Sequence, residues 1–66
     1  MESSAIESVG YDADTAMLEV EFTSGALYRY FAVPRSVYRE LIETDSPGHF
    51  FGENIREVYP TQHVAG

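Results

Sequence analysis

Between Met17 and Phe22 apolar and charged residues alternate without a break, Leu18, Val20 and Phe22 against Glu19 and Glu21. Period two is the spacing of a strand with one face buried, so this segment predicts a strand. Ile6 to Asp12 alternates less regularly through Ile6, Val9 and Tyr11. That pattern suits an edge strand with a bulge near Ser8 or Gly10. Asp12-Ala13-Asp14-Thr15 reads as a turn, because Asp side chains accept from backbone amides two residues on. Ala26 to Phe31 is a third, aromatic-rich strand, with Thr23-Ser24-Gly25 as the hairpin loop before it.

Beyond Phe31 the period lengthens. Val37, Tyr38, Leu41 and Ile42 form one stripe, with Arg35, Arg39, Glu40 and Glu43 outside it. The spacing predicts a helix opened by Pro34 at its first position and ending near Thr44. Ser46 followed by Pro47 reads as an N-cap and first helical residue of a second helix. Phe51, Ile55, Val58 and Tyr59 carry its apolar face until Pro60 forbids continuation. The expected fold is α+β: a three-stranded antiparallel β-meander followed by two short helices packed on one face, in the order β-β-β-α-α. A single domain covers residues 1–66, with its core over 6–59 and frayed termini at 1–5 and 60–66.

The facing of Tyr28-Arg29-Tyr30 depends on the hairpin loop, since a one-residue slip turns every side chain over. A two-residue turn at Ser24-Gly25 sets Phe22 opposite Leu27 and leaves both tyrosines on the open face, as a platform. A three-residue loop with Gly25 in the left-handed region sets Phe22 opposite Ala26, Val20 opposite Tyr28 and Leu18 opposite Tyr30. The phenols then line the core, Glu19 faces Arg29, and glycine falls where a positive φ is needed. Loop chemistry favours this second register.

Eleven Asp and Glu against four Lys and Arg give a net charge of −7, which opposes sequence-independent attraction to long polyanions or anionic lipid. Such an acid excess without lysine also fits a high-salt setting, where self-repulsion is screened. The absence of cysteine excludes disulfides, thiolate catalysis and Cys-type metal sites, and points to a cytoplasmic location. No apolar run has the length of a signal or membrane span, so no membrane role is expected.

Taken together, Val9-Gly10-Tyr11-Asp12, then Leu18, Val20, Phe22 and Gly25, then Tyr28-Arg29-Tyr30, Val33-Pro34, Val37-Tyr38 and Leu41 form an ordered set. Ser46, Gly48, Phe50-Phe51, Ile55-Arg56 and Tyr59 continue it. From Ile6 to Tyr59 this set resembles the KTSC family, a small domain found at the C-terminus of some lysyl-tRNA synthetases and as a stand-alone bacterial protein. The resemblance implies a small non-enzymatic module, with RNA or tRNA as the ligand suggested by the synthetase context.

The residue chemistry offers several candidates. Single-stranded RNA is held by bases stacked on aromatic rings with cations on the phosphates. Tyr28, Arg29, Tyr30, Arg35, Arg39 and Arg56 are the residues here that could do so, whereas the structural reading buries the tyrosines and pairs Arg39 with Glu43 and Arg56 with Glu53. The alternative is a protein contact on the open sheet face through Met17, Leu27 and Phe31. Asp45, Ser46 and His49 cluster at a helix start, where capping explains them better than a catalytic triad. His49 and His63 are fourteen positions apart and Asp12 with Asp14 lacks the rest of a calcium loop, so no metal, cofactor or catalytic residue is expected. A monomer is expected.

Overall fold

The computed structural model describes residues 6–66; the fraying expected over residues 1–5 lies outside them. The elements are β1 (Ile6–Asp12), β2 (Met17–Phe22), β3 (Leu27–Tyr30), α1 (Arg35–Glu43), α2 (Pro47–Asn54) and β4 (Thr61–Ala65). They form one antiparallel sheet in the order β1-β2-β3-β4, with both helices against one face. Leu18, Val20 and Tyr30 from the sheet meet Val33, Leu41, Phe51 and Ile55 in the core. The expected α+β meander with two helices is therefore present, with one strand added. Among the described residues no helix is long and apolar enough to cross a membrane.

The hairpin loop decides the register. The Gly25 amide donates to the Phe22 carbonyl and the Phe22 amide to the Ala26 carbonyl, both at 2.9 Å. Gly25 has φ 96°, a value at which a Cβ would meet the following carbonyl. This three-residue loop pairs Leu18 with Tyr30, Glu19 with Arg29 and Val20 with Tyr28, the register that loop chemistry favours. In the first hairpin the irregularity falls between Ile6 and Ser8, near the expected bulge. The turn after β1 is closed by Asp12, whose Oδ1 accepts from the Asp14 amide at 3.0 Å.

Three expectations need correction. Residues 60–66 are not a frayed tail: Thr61–Ala65 pairs with β3 through Tyr30–Thr61, Arg29–Gln62, Tyr28–His63 and Leu27–Ala65. A three-stranded meander would leave the outer backbone groups of β3 unpaired, and β4 satisfies them. The second helix stops at Asn54 rather than running on toward Pro60. There the Asn54 side-chain amide donates to the Phe50 carbonyl at 3.1 Å, competing with the backbone ladder, and Val58 ends 60 % exposed. Pro34 is the N-cap of α1, with ψ 148°, and its carbonyl accepts from the Val37 amide at 3.0 Å. Ser46 does cap α2, but without a side-chain hydrogen bond.

The sheet is joined to the start of α1 by local contacts on the β1–β2 side. The Tyr11 hydroxyl donates to the Val33 carbonyl at 2.6 Å, and the Val33 amide donates to the Ala16 carbonyl at 2.9 Å. The Tyr11 ring stacks on Tyr38 of α1, with centroids 4.9 Å apart. Ala16 and Ala32 both hold positive φ, at 56° and 61°, where an L side chain crowds the backbone. Replacing either with Gly relieves that crowding while adding unfolded-state freedom. Ala16→Gly and Ala32→Gly are each expected to change stability favourably by up to about 1 kcal/mol, against the usual loss for Ala→Gly elsewhere. Urea denaturation followed by circular dichroism reads the sign.

Candidate binding site

Val20–Tyr28 and Leu18–Tyr30 pairing puts both phenols on the helix-covered face of the sheet, at unequal depth. Tyr30 is 3 % exposed, with its ring edge-on to Phe51 at 5.3 Å. Burial pushes its phenol above the ordinary value, and the Arg56 charge acts in the opposite direction. Arg56 lines the same groove as Tyr30. Tyr28 is only half-buried, edge-on to Phe22 at 5.7 Å, and its flat face carries the His63 imidazole. Those two rings stack at 4.5 Å with 13° between planes.

Tyr28 and Tyr30 line an open groove of about 630 Å³ between the β2–β3 hairpin, α2 and the start of β4, with His63 outside its lining. Phe22, Tyr28, Tyr30 and Phe51 supply the apolar walls, and Thr23, Ser24 and Thr61 the polar rim. Arg56 and Glu57 close the side nearest α2, with the Arg56 Cζ 5.8 Å from the Phe51 ring centroid. An aromatic wall with one guanidinium suits a planar group carrying an adjacent negative charge. His49 lies at 3.5 Å from Glu53 in an exposed pair on α2, apart from the groove lining. Among the described residues no three His, Asp or Glu side chains converge as metal ligands.

The six residues singled out by sequence separate into three places. Tyr28, Tyr30 and Arg56 meet in the groove. Arg29 lies on the opposite sheet face, where its Nε donates to Glu19 Oε2 at 3.3 Å. Arg35 and Arg39 sit on the exposed side of α1. Among the described residues neither the Arg39–Glu43 nor the Arg56–Glu53 pair forms; Glu53 faces His49 instead. Sequence reading missed Phe22, Phe51 and Thr61 as groove residues and His63 as the stacking partner of Tyr28, because the first two read as core and the last two as tail. On the open sheet face the Glu19–Arg29 pair lies between Leu27 and Met17.

Comparison with known proteins fits this architecture. The profile of the KTSC domain matches residues 2–59. The chain belongs to the KTSC domain family. An uncharacterised protein of Stutzerimonas stutzeri is 49 % identical over 63 residues, covering 96 % of this chain and 83 % of that protein. A lysine–tRNA ligase of Nostoc punctiforme is 40 % identical over 64 residues, 97 % of this chain but only 11 % of the ligase. Among solved structures, a KTSC domain protein from Yersinia pestis superposes with a TM-score of 0.90 at 33 % identity, covering 97 % of this chain and 90 % of its own. The KTSC fold thus occurs both by itself and as a small part of a much larger enzyme. β4 lies beyond the residues matched by the family profile.

Proposed function

We propose that this KTSC domain is a cytoplasmic, non-enzymatic binding module, monomeric by itself, that holds an unpaired nucleotide of single-stranded RNA in the aromatic groove. The observation that carries this reading is the convergence of Tyr28, Phe22, Phe51 and Arg56 on one open groove. Bases stack on aromatic rings at about 1–3 kcal/mol each, and one guanidinium serves one phosphate. The KTSC segment of a lysine–tRNA ligase, an enzyme whose substrate is an RNA, supports the same direction. The Glu19–Arg29 pair on the open face of the sheet favours this groove over a protein contact there.

The acidity limits the mode of binding. At net charge −7 the domain repels a long phosphate backbone, so attraction comes from stacking and one local cation. Each phosphate neutralised on a single strand adds about −0.7 to the slope of log affinity against log salt. A slope near that of a single contact is expected, far shallower than for basic RNA-binding domains. Titration of the isotopically labelled protein with a tetraadenylate tests this by amide shifts. Shifts are expected at Tyr28, Arg56 and Thr61, and Arg56→Gln is expected to weaken binding by about 10- to 100-fold, the loss of one charge-assisted hydrogen bond. No shift at millimolar RNA would overturn the reading.

A further inference from the structure

We propose that β4 is a displaceable strap whose His63 occupies, in cis, the face of Tyr28 on which a ligand base stacks. This inference rests on the groove being the RNA site. Phe22 meets Tyr28 at 81° and so does not stack on its ring. His63 takes the flat face of that ring in a near-parallel stack, the geometry a nucleobase adopts on an aromatic side chain. The imidazole lies beside the groove rather than in its lining, so a base that extends from the groove onto this face of Tyr28 has to displace it.

The hold of β4 on the domain is slight. None of the seven core residues comes from β4, and all five of its side chains are exposed. By contrast β1, the other edge, packs Ile6, Val9 and Tyr11 against the core. β4 is attached by its ladder to β3, by the Phe31 amide on the Pro60 carbonyl at 3.0 Å, and by the His63 stack. The ladder shifts register between Leu27 and Tyr28, beside the stacked imidazole. Segments with little buried apolar surface open at free energies well below global unfolding. The strand can therefore leave β3 while the core stays closed, and its departure removes Thr61 from the groove wall as well.

Three measurements on the full chain, with tetraadenylate as the probe, test the strap. A stacked aromatic pair contributes a factor of roughly 2 to 13 to an equilibrium, so His63→Ala is expected to tighten RNA binding by that factor. Leu27→Cys with Ala65→Cys sits at a cross-strand pair, where antiparallel Cα atoms lie at disulfide distance. Oxidation is expected to weaken binding more than 10-fold, and reduction of the same sample to restore it. In the free protein, amides in the β3–β4 ladder are expected to exchange with solvent faster than those in β1–β2, and faster again in His63→Ala. RNA bound equally by wild type, His63→Ala and the oxidised double variant would overturn the strap while leaving the groove as the site. RNA bound by neither wild type nor His63→Ala would sink both readings. Exchange in β3–β4 as slow as in β1–β2 overturns the strap whatever RNA does.

Discussion

Phe51→Ala is expected to remove about 3–5 kcal/mol of stability, the usual loss for a fully buried phenyl ring. Phe51 is 2 % exposed and fills the space between α2 and the sheet, with edge-on contacts to Phe22 at 5.5 Å and Tyr30 at 5.3 Å. Arg56 also loses its ring partner. A chain of this size has about 3–10 kcal/mol in total, so the loss takes from about a third of the stability to all of it. Urea denaturation followed by circular dichroism is expected to show a midpoint at least about 1 M below that of the wild type. Phe51→Leu keeps apolar volume and is expected to lose less than about 1.5 kcal/mol. A loss below 1 kcal/mol in Phe51→Ala would mean that α2 is not seated on the sheet.

The meander, the start of α2 and the Tyr28–Tyr30 register were legible because each follows from neighbours in the chain. Strand alternation is read within six residues, and Gly25 marks the loop length that rotates the phenols inward. β4 was not legible for an equally local reason. All five of its side chains are exposed, so no alternation of apolar and polar residues marks it. It is a strand because β3 has unpaired backbone groups, which is a property of the sheet and not of residues 61–65. The extent of α2 failed similarly, since Val58 and Tyr59 continue the helical spacing that the Asn54 side chain interrupts. Within the candidate site, period two already separates Arg29 from Tyr28 and Tyr30, and the structure keeps them on opposite faces. The groove itself required tertiary information: Phe22, Phe51 and Thr61 come from three elements far apart in sequence. His63 carried no distinguishing signal in a segment that reads as tail.

Two neighbouring tyrosines on the same sheet face are expected to answer mutation in opposite ways. Tyr30→Ala opens a cavity beside Phe51 in the closed core and is expected to lose about 3–5 kcal/mol. Tyr28→Ala removes a half-buried ring whose partners are Phe22 and the exposed His63, and is expected to lose about 1–2 kcal/mol. That difference leaves Tyr28→Ala folded and suitable for a binding assay. Its affinity for tetraadenylate is expected to fall by roughly 5- to 100-fold, the loss of one base-stacking surface, even though the strap has lost its own partner. Urea curves and RNA titrations of the two variants decide the matter together. Equal and small stability losses would put both phenols on the open face, in the register of a two-residue turn. A folded Tyr28→Ala with undiminished RNA affinity would retain the register but remove Tyr28 from the site, leaving stacking to Phe22.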